Sequence, residues 1–104
     1  MHPYEIKYLP LFEDDLADII DYIVTTLKNK DAAGDLLDTI EKALLDRAQC
    51  PLSFEPFESA KKRAMDYYRI YVKNFTIFYV VFEEDRVMEV RRILYNRRDM
   101  RNML

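Results

Sequence analysis

The chain has 104 residues, half of them hydrophobic, with one glycine, four prolines and a formal charge of −3. That is enough chain for one domain with a single core, here residues 1–104, and too little Gly, Pro or repetition for a linker, a solenoid or a disordered tail. The opening MHPYEIKYL has no long apolar run, which argues against a signal peptide or a membrane span; the lone Cys50 cannot form an internal disulfide and suits a reducing cytoplasm.

The segment Tyr4–Leu9 alternates and is rich in strand formers, predicting a short strand. Pro10 fits the first turn of a helix, and Glu13, Asp14 and Asp15 favour its positive end. Phe12, Leu16, Ile19, Ile20, Ile23 and Leu27 form one apolar stripe, so this helix is expected to reach about Leu27. After the turn KNKD, Asp31 is the expected N-cap of a second helix ending before Pro51. Its stripe holds Ala33, Leu36, Leu37, Ile40, Ala43 and Leu44. A short connection makes the two helices an antiparallel hairpin.

Residues 51–65 read as an irregular connection. Three strands then follow, at Tyr67–Lys73, Phe75–Phe82 and Val87–Tyr95, with turns at Asn74 and at Glu84–Asp85. The middle strand is almost wholly apolar, as expected of one buried on both faces. Asn96 caps a short terminal helix over Arg97–Leu104. The order β-α-α-β-β-β-(α) gives an α+β fold, an N-terminal helical hairpin packed on a small, mainly antiparallel sheet.

The charge is split between the halves. Residues 1–60 hold 5 Lys/Arg against 13 Asp/Glu, a net of −8; residues 61–104 hold 11 against 6, a net of +5. Two solvated faces of opposite sign would explain this, but strand periodicity suggests more. Tyr67, Arg69, Tyr71 and Lys73 share one strand face, and Tyr68, Ile70 and Val72 share the face assigned to the helices. Along Val87–Tyr95 neither alternating set is purely apolar. Either one face accepts an arginine, or a bulge intervenes before Tyr95. An arginine within such a strand needs a carboxylate, a phosphate or solvent. Arg69, Arg92 and Tyr95, with Lys61, Lys62 and Arg63, are thus candidates for a basic groove in which arginines neutralise phosphates and tyrosines stack on RNA bases. The competing expectation ties Arg69 or Arg92 to Glu83, Glu89 or Asp99.

The element order, the strand pair YYRIYVKNFTIFYVVF and the ending VMEVRRILYNRRDM resemble the toxins of the RelE/ParE superfamily (plasmid stabilisation family) of type II toxin–antitoxin systems. The resemblance spans nearly the whole chain. It implies one of two activities: ribosome-dependent mRNA cleavage by RelE-like interferases, or poisoning of DNA gyrase by ParE-like toxins. It also implies a cognate antitoxin whose flexible segment wraps the toxin.

In an interferase the RNA 2′-hydroxyl attacks the neighbouring phosphorus, which needs a base, cations on the phosphate and an acid for the leaving 5′-oxygen. Carried onto this sequence, Arg69 and Arg92 match the strand arginines that stabilise the phosphorane. Tyr95 stands where a tyrosine or histidine supports acid–base chemistry or stacks a base. Lys61 and Lys62 fall in the region supplying lysines, with Arg63 in the same cluster and Glu58 as a carboxylate alternative for the base. No metal or cofactor is implied. Met100, Met103 and Leu104 are candidate antitoxin contacts, since exposed apolar residues at a terminus mark a partner site.

Two features depart from the interferase pattern: the net negative charge and the acidic first helix, with Glu13, Asp14, Asp15, Asp18 and Asp21. The reading favours an endoribonuclease acting on ribosome-bound mRNA. The alternatives are a gyrase poison without nuclease activity and a non-toxic interaction module. All three are cytoplasmic, with no membrane partner.

Overall fold

The computed structural model describes residues 2–56 and 65–96. In chain order it contains strand β1 (Glu5–Tyr8), helix α1 (Pro10–Asp21), a π-helical turn (Tyr22–Thr26), helix α2 (Lys30–Arg47) and strands β2 (Tyr68–Val72), β3 (Phe75–Phe82) and β4 (Val87–Tyr95). The expected α+β class and element order hold. The expected terminal helix, Glu58, Lys61, Lys62 and Arg63, and Met100, Met103 and Leu104 all lie outside the described residues.

Pro10 occupies the first turn of α1, where no intrahelical N–H is lost. Helical winding reaches Thr26, its last part as the π-helical turn; the stripe packs on the core as far as Ile23, while Leu27, expected on it, is exposed. The cap of α2 differs from expectation. The Asn29 side-chain oxygen accepts from the Ala32 N–H at 3.0 Å, so the cap falls two residues before Asp31, which sits in the first turn. Both residues favour a helix N-terminus, Asn29 by capping and Asp31 by charge.

The four strands form one sheet in the order β1-β4-β3-β2. β1 runs parallel to β4, and the other two pairs are antiparallel. The helical hairpin covers one face. Phe12, Leu36, Ile40 and Leu44 pack there against Ile70, Val72, Ile77, Tyr79, Met88, Val90 and Ile93. A smaller cluster of Phe78, Leu94 and Tyr67 lies on the other face. From Thr76 to Val80, β3 is buried on both sides, as its unbroken apolar run predicts.

The arginine problem in β4 is solved by a bulge. Phe78 pairs with Arg92 but Tyr79 pairs with Val90, so Arg91 is the extra residue. The slip keeps Met88 and Val90, and then Ile93, on the helix side, and turns Arg92 and Leu94 to the other face. Without it, strict alternation would put Arg92, two residues beyond Val90, into the core.

Among the described residues, no helix is long and apolar enough to cross a membrane, and no group of His, Cys, Asp and Glu could hold a metal ion.

Candidate functional site

The register places Arg69, Phe78 and Arg92 side by side on β2, β3 and β4. Directly opposed residues share a face, so both arginines flank buried Phe78 on the side away from the helices. With about 4.8 Å between strands, their Cα atoms are roughly 10 Å apart. The structure therefore brings Arg69 and Arg92 into one row.

Arg92 is engaged there through one edge of its guanidinium. Its Nε donates to Asp15 Oδ2 at 2.8 Å and its Nη2 to Asp15 Oδ1 at 2.9 Å. The same Oδ2 accepts the Ile93 N–H at 3.2 Å. β1 has ended by this point; its last contact with β4 is Leu9 N–H to Val90 O at 3.0 Å. Asp15 thus caps the outer edge of β4 where its strand partner stops. The hydrogen bonding to Asp15 raises the Arg92 pKa above its ordinary value, against the effect of burial.

Its neighbour Arg91 pairs with Glu89, Nη2 lying 2.8 Å from Oε1, and its guanidinium sits 5.8 Å from the Tyr67 ring centre. Burial works to lower the Arg91 pKa, but the hydrogen bonds to Tyr67 and Glu89 outweigh it and the net shift is upward. At the other end of the row the Arg69 guanidinium lies 5.8 Å from the ring of Tyr71, which is 64% exposed. This sheet face is therefore an arginine–tyrosine surface in which Arg92 and Arg91 already hold carboxylates.

Tyr95 is not part of that row. It pairs with Phe75 and meets its ring edge-on at 5.7 Å, and Phe75 packs against the helix-side core. Tyr95 accordingly lines a cavity of about 730 Å³ between the helical hairpin and the β2–β3 turn, with Ile19, Tyr22, Ile23, Leu36 and Lys73. Asn96 closes the strand nearby, donating its N–H to Asn74 O at 2.9 Å while its side chain receives Thr76 Oγ1 at 2.5 Å.

A further arginine, not singled out by the sequence, organises the back of β2. Arg47, in the last turn of α2, donates through Nη1 to Arg69 O at 2.9 Å and to Tyr79 Oη at 3.0 Å. Its guanidinium stacks on Phe54 with 3.5 Å to the ring centre. Tyr79 in turn donates to Pro51 O at 2.8 Å. Arg47 thereby joins the end of α2, the following turn and the strand that carries Arg69.

Asp15 and Arg47 had a legible signal. Asp15 falls inside the stripe Phe12–Leu16–Ile19, and Arg47 is one turn beyond Leu44 on the buried side of α2. A charge on an apolar helical stripe must find a partner. Neither sequence position says which partner, because both partners are on strands more than twenty residues away.

No curated protein sequence matches the chain significantly. Among solved structures, the chain is similar to the chromosomal ParDE toxin–antitoxin system of P. aeruginosa, with a TM-score of 0.71 and 15% identity, covering 93% of this chain and all of that one. It is also similar to the RelBE2 complex of Mycobacterium tuberculosis (TM-score 0.59, 14% identity, 92% and 94% covered). The intact E. coli RelBE complex gives a TM-score of 0.57 at 18% identity, with 91% and 99% covered. At these identities the likeness establishes the fold. The family is established by sequence: residues 6–100 match the model for the ParE toxin of the type II toxin–antitoxin system parDE, and the chain belongs to that family.

Proposed function

We propose that this toxin acts in the ParE manner, by binding and poisoning DNA gyrase rather than by cutting RNA. The observation that carries this reading is the Asp15–Arg92 pair. Phosphorane stabilisation needs a cation directed at the phosphate, and Arg92 directs its Nε–Nη2 edge, through both donors, at a carboxylate of its own chain. Tyr95, the other residue carried over for that chemistry, faces a cavity on the opposite side of the sheet. The negative net charge and the ParE family match support the same reading. A cognate antitoxin is the expected partner, a reading supported by neighbours solved as toxin–antitoxin complexes. The cytoplasm is the expected place of action.

The RelE-like reading, a ribosome-dependent mRNA interferase, keeps one observation in its favour: Arg69 and Arg92 do share a row. In it Arg69 and Arg92 stabilise the phosphate and Tyr95 serves the acid–base step. Lys61, Lys62, Arg63 and Glu58 then bind substrate, and Met100, Met103 and Leu104 contact the antitoxin.

Induced expression followed in parallel by primer extension on cellular mRNA and by a gyrase supercoiling assay separates the two. The ParE reading expects inhibited supercoiling and intact messages. Mapped cleavage of ribosome-bound mRNA with normal supercoiling would overturn it.

A further inference from the structure

We infer that Asp15 is a built-in anion occupying what would otherwise be a phosphate-binding site at the outer edge of β4, and that this one residue decides whether that edge accepts nucleic acid. Three donors converge on its carboxylate: Arg92 Nε at 2.8 Å, Arg92 Nη2 at 2.9 Å and the Ile93 N–H at 3.2 Å. A guanidinium fork beside a main-chain N–H is a donor set that fits a phosphate oxyanion as well as a carboxylate, since both present paired oxygens to the fork. The donors do not come from Asp15's own helix. They are fixed by β4, where the bulge at Arg91 sets Arg92 on the face it shares with Arg69 and where the end of β1 leaves the Ile93 N–H without a strand partner. The site is also within reach of solvent, the Arg92 and Asp15 side chains being 27% and 14% exposed.

An internal carboxylate in such a site competes with any external anion as an intramolecular ligand, without the cost of association. It also cancels the charge of Arg92. Removing it restores one cation and three donors at once. The inference concerns the chemistry of that edge and not the cellular target. Its test is therefore binding in vitro, which can fail or succeed whichever of gyrase and mRNA the toxin acts upon.

The probes are a twelve-nucleotide single-stranded RNA and inorganic pyrophosphate, each titrated at about 50 mM salt against the full chain. Asp15→Ala is expected to bind the RNA at least about tenfold more tightly than the parent, the scale of one or two restored charge-assisted hydrogen bonds. The slope of log affinity against log salt steepens by about 0.7 if one phosphate is newly contacted. The gain disappears in the Asp15→Ala/Arg92→Ala double variant. Tighter RNA with unchanged pyrophosphate binding assigns the site to a polynucleotide backbone; tighter binding of both assigns it to phosphate in general.

Asp14→Ala, which removes the same charge from an exposed position of the same helix, is the control for bulk electrostatics. An Asp15→Ala gain no larger than that of Asp14→Ala, or a gain that survives loss of Arg92, overturns the inference. Circular dichroism checks the fold of each variant. Should Asp15→Ala unfold, Asp15→Asn keeps a carbonyl oxygen for the Ile93 N–H while removing the charge, and the same comparisons apply to it.

Discussion

Asp15 and Arg92, 77 residues apart in the chain, meet through two parallel hydrogen bonds of 2.8 and 2.9 Å at the edge of β4. The contact fastens the first helix to the last strand. Because the pair is mostly withdrawn from solvent, deleting one partner strands the other. Arg92→Ala is expected to destabilise the fold by about 2 kcal/mol, lowering the melting temperature by roughly 10 °C. A double-mutant cycle with Asp15→Ala should return a coupling energy of about 1–2 kcal/mol. Coupling near zero would show that the pair holds nothing together.

Arg47 should matter for stability more than its position at a helix end suggests. Arg47→Ala removes hydrogen bonds to Arg69 O and Tyr79 Oη and the stack on Phe54. The expected loss is about 2 kcal/mol in chemical denaturation. Arg47→Lys should recover less than half of it, because an ammonium lacks the planar fork that bridges two acceptors while stacking.

Stability should fall at alkaline pH. Burial pushes the Tyr79 hydroxyl above its ordinary value, with Arg47 pulling the other way and Tyr68 and Cys50 adding to the rise. Tyr68 is raised by burial and then by Asp66 and Glu83, and Tyr8 by burial and then by Glu41. Each folded-state hydroxyl holds its proton more tightly than in the unfolded chain. The stabilisation is therefore complete below about pH 10 and is lost as pH rises through the folded values. Melting temperatures at pH 8 and pH 11 should differ, and Tyr79→Phe should reduce that difference. A Tyr79→Phe variant with the parental pH dependence would contradict the assignment.

Two lysines sit in the left-handed region, Lys28 after the π-helical turn and Lys73 in the β2–β3 turn, with φ of 52° and 53°. Side chains with a Cβ are disfavoured there, and glycine is not. Lys28→Gly and Lys73→Gly are each expected to raise stability by about 0.5–1 kcal/mol, measured by thermal unfolding. Arg86, at 52°, is a different case. Its guanidinium donates to His2 O at 2.6 Å and stands 4.3 Å from the Tyr4 ring centre. Arg86→Gly should therefore gain nothing or lose stability, despite the same backbone relief.

Local pattern made most of the fold legible. The strands at Phe75–Phe82 and Val87–Tyr95 have the bounds their composition predicts, and the mixed periodicity of β4 required either a bulge or a buried arginine. The alternation of Tyr68, Ile70 and Val72 against Arg69 and Tyr71 assigned the two sheet faces correctly. The site was less legible. Arg92 was expected to take a phosphate or one of Glu83, Glu89 and Asp99, and its partner is Asp15. Glu89 went to Arg91 instead.

By itself the sequence determined the two helices of the hairpin, the strands, their order along the chain and the buried face of β2, because these depend on periodicities of two and 3.6 residues that a window of the chain displays. Tertiary structure alone decided which charge meets which. The parallel return of β1 onto β4, its end at Tyr8 and the one-residue slip at Arg91 together bring Asp15 to Arg92, and put Tyr95 on the far side of the sheet from both arginines of the row. Ion pairing depends on distances of a few ångströms between residues far apart in the chain, and those distances exist only once the strands have been set beside one another.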